Sequence, residues 1–108
     1  MGYFGASTGA AAALVAAAQL GSKIHAVVSR GGRPDLAKNA LSKVTAPTLL
    51  IVGGLDTTVI QLNEQALKSL LCPKELKIVS GATHLFEETG KMEEVTQAAL
   101  SWFQTHLS

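Results

Sequence analysis

Pro47-Thr48-Leu49-Leu50-Ile51-Val52-Gly53-Gly54-Leu55-Asp56 carries the strongest strand signal in this 108-residue chain. The Leu-Leu-Ile-Val run has no polar residue at alternate positions, which is the pattern of a parallel strand covered on both faces. Pro47 introduces the run and Gly53-Gly54 ends it. A strand apolar on both sides needs helices above and below it, so its neighbours are expected to alternate between helix and strand.

Working outward, the chain meets that expectation. Upstream, Tyr3-Phe4 reads as a stub of strand, and Thr8 to about Leu20 as a helix of Ala, Leu and Val. That helix is apolar on all sides, so it should be buried on more than one of them, and Gly21 ends it. Ile24 to Ser29 reads as a short strand, followed by the loop Arg30-Gly31-Gly32-Arg33-Pro34 and a short polar-faced helix from Asp35 to about Val44. Downstream, a helix from about Ile60 to Leu71 sets Leu62, Ala66, Leu67, Leu70 and Leu71 on one stripe, and Pro73 marks its end. Leu76 to Ser80 alternates as an edge strand does. A last helix, about Met92 to His106, carries Val95, Ala99, Leu100, Phe103 and Leu107 at helical spacing. Short connections between such elements predict right-handed βαβ units and an α/β fold with about four parallel strands. Residues 1–108 form one domain, with no repeat or linker.

Composition narrows the function classes. Apolar residues make up 47% and charged residues 16%, a balance that argues against disorder. It also predicts apolar surface covered by another chain. A formal charge of +1 without a basic run gives no footprint for nucleic acid. Cys72 is the only cysteine, so an intrachain disulfide is excluded and a reducing, cytoplasmic setting is the simpler expectation. With three scattered histidines there is no obvious structural zinc ligand set, and no metal or cofactor is expected. The apolar stretch Ala10 to Leu20 is too short to span a bilayer and lacks the preceding Lys or Arg of a signal peptide. Ala6 stands where a myristoylation motif wants Ser or Thr.

Three loops carry the chemistry. Gly5-Ala6-Ser7-Thr8-Gly9 has the form G-x-S-x-G between a strand and a helix, the pattern of a nucleophile elbow. Such a turn exposes the serine hydroxyl, and Gly5 and Gly9 are expected to supply the small neighbours it needs. The Thr8 N–H would then stabilise an oxyanion at the helix N-terminus. Asp56 follows the most buried strand and His84 the last one, so both fall at the C-terminal edge of a parallel sheet, where ligand and catalytic groups collect. Taken alone, Asp56 equally fits a helix N-cap and His84 a solvent-facing loop histidine. Asp35 fits a helix cap after Pro34. His25 and His106 fall away from that edge. The order Ser7, Asp56, His84 is the triad order of one hydrolase architecture, and the three together read as nucleophile, orienting acid and general base. Arg30 and Arg33 follow the second strand and would grip a substrate carboxylate or stand as solvated loop arginines.

The chain resembles the C-terminal half of an α/β-hydrolase, most of all the dienelactone-hydrolase-like members. The matching pieces are residues 2–9, residues 47–56 and Gly-Ala-Thr-His-Leu-Phe at 81–86. The resemblance implies Ser7 as nucleophile, His84 as general base and acid, and Asp56 as the group orienting His84. It implies hydrolysis of short or medium acyl carboxylic esters through an acyl-enzyme, without metal or cofactor. Where dienelactone hydrolases themselves carry cysteine at the elbow, this chain has Ser7. The resemblance further implies strands before the elbow and a second oxyanion donor that these 108 residues do not include. An uncovered first strand predicts a homo-oligomer across the N-terminal strand edge and the alanine-rich helix. The alternative expectation is a non-catalytic hydrolase remnant, acting as an interaction subunit or needing a partner chain for activity.

Overall fold

The computed structural model of the chain describes residues 2–6 and 8–107. Its elements run β1 (Gly2–Ala6), α1 (Thr8–Leu20), β2 (Ala26–Arg30), a 3₁₀ segment (Pro34–Lys43), β3 (Thr48–Gly53), α2 (Thr57–Ser69), β4 (Lys74–Val79) and α3 (Lys91–Leu107). The four strands form one sheet in the order β1-β2-β3-β4. Every pair is parallel, with Tyr3 opposite Val27, Val28 opposite Leu49 and Leu50 opposite Leu76.

β3 behaves as its sequence predicts, with all six residues buried. Successive side chains of a strand point to opposite faces, and here they divide between two cores. Leu50 and Val27 pack with Leu14 and Ala17 of α1, Leu41 of the 3₁₀ segment, and Ala66 of α2. Leu49, Ile51 and Val28 pack on the other face with Val79, Phe86, and Val95 and Ala99 of α3. Each fully buried Leu or Ile contributes roughly 1.5–3 kcal/mol of transfer free energy, so the central strand anchors both layers.

Several element boundaries differ from the sequence reading, each for a local reason. β2 starts at Ala26, while Ile24 caps the 3₁₀ turn Gly21–Lys23 through its N–H to Gly21 O at 3.1 Å. The expected helix at 35–44 is a 3₁₀ segment from Pro34 to Lys43. α2 begins at Thr57 instead of Ile60 and stops at Ser69, so Leu70 is a buried C-cap and Leu71 is exposed. α1 packs on the sheet and beside the 3₁₀ segment, while Ala12 and Gln19 stay exposed. Leu100 and Leu107, expected on the core stripe of α3, are also exposed. They lie toward β1, Leu100 in a groove it shares with Phe4 and Leu107 beside Gly2. No helix among the described residues is long and apolar enough to cross a membrane.

Candidate active site

β1 ends at Ala6 and α1 opens at Thr8, so strand gives way to helix across one position. That position is Ser7, which lies outside the described residues. The flanking glycines divide. A Cβ on Gly5 would come within 2.7 Å of Ala10 Cα and of Gly9 O, so only glycine lets β1 approach the first turn of α1 this closely. A Cβ on Gly9 would meet nothing within 4 Å among the described residues, and Ser7, at the turn it was expected to crowd, lies outside them. Thr8 is the first residue of α1, and its N–H belongs to the first-turn amides that have no partner inside the helix.

Asp56 occupies the N-cap position of α2, yet its side chain makes no capping hydrogen bond. The carboxylate turns instead to the loop after β4, where Oδ2 lies 3.0 Å from His84 Nδ1. An N-cap Asp is worth roughly 0.5–2 kcal/mol to its helix. Here that stabilisation is given up for contact with a residue 28 positions away. A carboxylate oxygen only accepts, so this contact places a proton on Nδ1 and leaves Nε2 as the ring nitrogen able to take one up. Both side chains are partly exposed.

The loops are fastened to one another by backbone. Leu55 N–H donates to Ala82 O at 2.9 Å and Gly54 N–H to Val79 O at 2.8 Å, which ties the Asp56 loop to the His84 loop. Gly31 closes the third side. Its φ of +54° favours glycine, and a Cβ there would stand 3.0 Å from His84 O and 3.4 Å from His84 Cε1. The residue after β2 must therefore be small for the His84 ring to lie where it does. Gly31 N–H donates to Ile51 O at 2.7 Å, which holds it against the end of β3.

The two arginines go to different places. Arg33 donates from Nε and a terminal nitrogen to the two Asp35 oxygens at 3.1 and 3.0 Å. The hydrogen bond with Asp35 raises the Arg33 pKa above its ordinary value. Asp35 is thus an ion-pair partner, which corrects its reading as a helix cap. Arg30 ends β2 with its guanidinium carbon 5.9 Å from the centroid of the Phe86 ring. It lines a groove of about 380 Å³ together with Phe4, Met92, Leu100 and Phe103. His25 is exposed before β2, and His106 lies near the end of α3 with its ring centroid 4.3 Å from that of Trp102 and tilted by 53°, both as expected away from the Asp56–His84 pair.

Three residues escaped the sequence reading. Asn63 is buried on α2 and donates from Nδ2 to Gly32 O at 3.1 Å and to Val59 O at 2.8 Å, which pins the loop after β2. Its signal was present: with Ala66 and Leu70 it completes the i, i+3, i+7 stripe, and a polar residue at such a position needs a buried partner. Thr83 and Glu88, joined to each other, gave no periodic signal. Among the described residues no group of three or more His, Cys, Asp or Glu side chains is placed to hold a metal ion.

A parallel sheet with an acid and a histidine paired across the ends of neighbouring strands is of the α/β-hydrolase type. The sequence profile of the dienelactone hydrolase family matches residues 1–107, and the chain belongs to that family. A dienelactone hydrolase structure from Anabaena variabilis is 59% identical, with a TM-score of 0.96 over 97% of this chain and 49% of its own. A monoacylglycerol lipase from Paleococcus ferrophilus shares the fold at 18% identity, with a TM-score of 0.82 over 97% of this chain and 68% of its own. Two Mycobacterium tuberculosis proteins with the provisional name phosphoribosyl transferase are 58% identical over 107 residues. The chain spans 24% of the length of those two and about half that of the Anabaena protein.

Proposed function

We propose that this chain carries the catalytic residues of a serine hydrolase acting on short or medium acyl carboxylic esters. Ser7 attacks the acyl carbon, His84 takes the serine proton at Nε2 and returns it to the leaving alcohol, and Asp56 orients the ring through Nδ1. Water then attacks the acyl-enzyme with His84 again as base. The Thr8 N–H stabilises the oxyanion. The observation that carries the reading is the 3.0 Å contact of His84 Nδ1 with Asp56 Oδ2, made at the expense of a helix cap. Family membership supports hydrolase chemistry. The phosphoribosyl transferase name belongs to proteins of which this chain matches a quarter, and none of the residues described above favours it.

The test is hydrolysis of a p-nitrophenyl short-chain ester by the purified chain, with Ser7→Ala prepared in parallel. Loss of a triad nucleophile costs on the order of a million-fold in kcat, so the variant should fall to background. Equal rates in the two proteins would defeat the hydrolytic reading.

A second proposal concerns assembly. β1 is a sheet edge, and Phe4 on it is 50% exposed beside Leu100. Open edges with apolar neighbours seek partners, and we propose that a second copy of the chain covers β1, in a cytoplasmic setting that suits the single free Cys72. A monomeric mass by light scattering would exclude it. The non-catalytic alternative predicts a stable fold with no reaction toward an organophosphonate probe.

A further inference from the structure

We propose that Glu88 is a positioning residue for His84, holding the loop between β4 and α3 in register through the two donors of Thr83, its N–H and its hydroxyl. The inference deepens the hydrolytic reading and rests on it for the catalytic consequence, although its structural part stands apart from any reaction.

A catalytic histidine carried on a loop needs that loop held in place. A misplacement of about 1 Å at a reacting group can cost roughly 100-fold in rate, and the loop from Ser80 to Gly90 between β4 and α3 has many ways to drift. Here both sides of His84 are fixed. On the downstream side Phe86 is buried at a φ of +57°, a conformation side chains other than glycine rarely adopt, and its ring fills the core between β2, β3 and α3. On the upstream side Thr83 is held at three atoms. Its carbonyl accepts Phe86 N–H at 3.1 Å. Its N–H donates to Glu88 Oε1 at 3.0 Å and its hydroxyl donates to Glu88 Oε2 at 2.7 Å.

Two charge-assisted bonds from one carboxylate to one residue fix direction as well as distance. The anchor is itself secured, because Glu88 O accepts Lys91 N–H at 3.0 Å, where α3 begins. The clamp therefore transmits the position of a 17-residue helix to the peptide that precedes His84. Glu88 touches neither the His84 ring nor Asp56 in any contact described, so its effect on chemistry runs through Thr83.

The experiment has two independent readouts on the whole chain. The first is proton NMR of the His84 ring, with the Nδ1 proton assigned by its loss in His84→Gln. In the unaltered protein and in Thr83→Ser, which keeps both donors, this proton should exchange slowly because Asp56 holds it. In Glu88→Ala it should exchange at least about tenfold faster, with far-UV circular dichroism unchanged. Equal protection in Glu88→Ala overturns the proposal. The second readout is ester hydrolysis normalised to sites titrated with an organophosphonate. Glu88→Ala should lower kcat by about 10- to 100-fold with KM within about twofold, and Thr83→Ser should retain the rate. A purely structural role would instead lower the number of titratable sites and leave kcat per site unchanged, which overturns the proposal. Should Glu88→Ala fail to fold, Glu88→Gln and Thr83→Val, each removing part of the clamp, must exchange this proton faster than the unaltered protein, and rates equal to it overturn the proposal. Should the unaltered chain hydrolyse no ester, the fault lies with the hydrolytic reading, and the NMR readout alone decides the role of Glu88.

Discussion

The two edges of the sheet are finished differently. At the β3–β4 end, the loops after the strands are bonded to one another through backbone amides, the Asp56–His84 contact and the Thr83–Glu88 clamp. At the β1 end, one side of the strand pairs with β2 and the other faces no strand, while Phe4, Leu100 and Leu107 stay exposed. The same physical rules operate at both. Polar groups that leave water must find partners, and apolar ones gain by leaving it. Neither edge strand meets a further strand among the described residues, and Ile78 of β4 is 46% exposed much as Phe4 of β1 is 50% exposed, so what sets the β3–β4 end apart is its loops, whose polar groups are partnered within the chain. The loops that carry Asp56 and His84 are thus tied to one another by backbone and side-chain hydrogen bonds.

The comparison can be broken in order of expected effect. Asp56→Asn should keep the fold and lower ester hydrolysis on the order of 10⁴-fold, because an amide no longer selects the right ring tautomer. Steady-state kinetics decides this, and a loss below tenfold would mean that Asp56 serves only the loop. Leu50→Ala, in the fully buried centre between the two edges, should cost about 2–5 kcal/mol in urea unfolding. Phe4→Ser should change monomer stability by less than about 0.5 kcal/mol and shift light scattering toward the monomer. A large stability loss there would show that the β1 edge is already completed by the chain itself.

Acid sharpens the same contrast at the finished edge. The Thr83 N–H, and after it the Thr83 hydroxyl, hold the Glu88 carboxyl below its usual range, with Lys91 adding a favourable charge. A carboxylate with a depressed folded pKa stabilises the native loop above its unfolded pKa and loses that contribution as pH falls through the folded value. Protection of the His84 loop amides should therefore decline with acidification in the native protein. The same profile should be flatter in Glu88→Gln.

Much of this arrangement was readable from the residues. The unbroken Leu49-Leu50-Ile51-Val52 run fixed the strand at the centre, and the Gly and Pro punctuation placed the remaining elements to within a few residues. Asp56 and His84 were legible because the ends of parallel strands share an edge, so topology alone brings them near each other. Asn63 was legible in principle, as a polar residue on an apolar stripe. Thr83 and Glu88 were not, since a side-chain clamp across five residues of loop has no period to detect. Leu100 was misjudged because helical spacing specifies a face but not whether anything covers it, and Leu71 because α2 stops at Ser69, short of it. Arg30 and Arg33 are neighbours in sequence, but strand pleating and Asp35 send them apart.

One contact at the opposite end of the strands has a practical consequence. A Cβ on Gly2 would lie 2.7 Å from the Phe103 ring and 3.3 Å from Leu107 Cδ1, so the first strand starts beside the last turn of α3. The two ends of the described chain are neighbours, and both sit at the N-terminal margin of the sheet, a strand's length from His84. A fluorophore or spin label placed at this margin would report on β1 and α3 together without approaching that histidine.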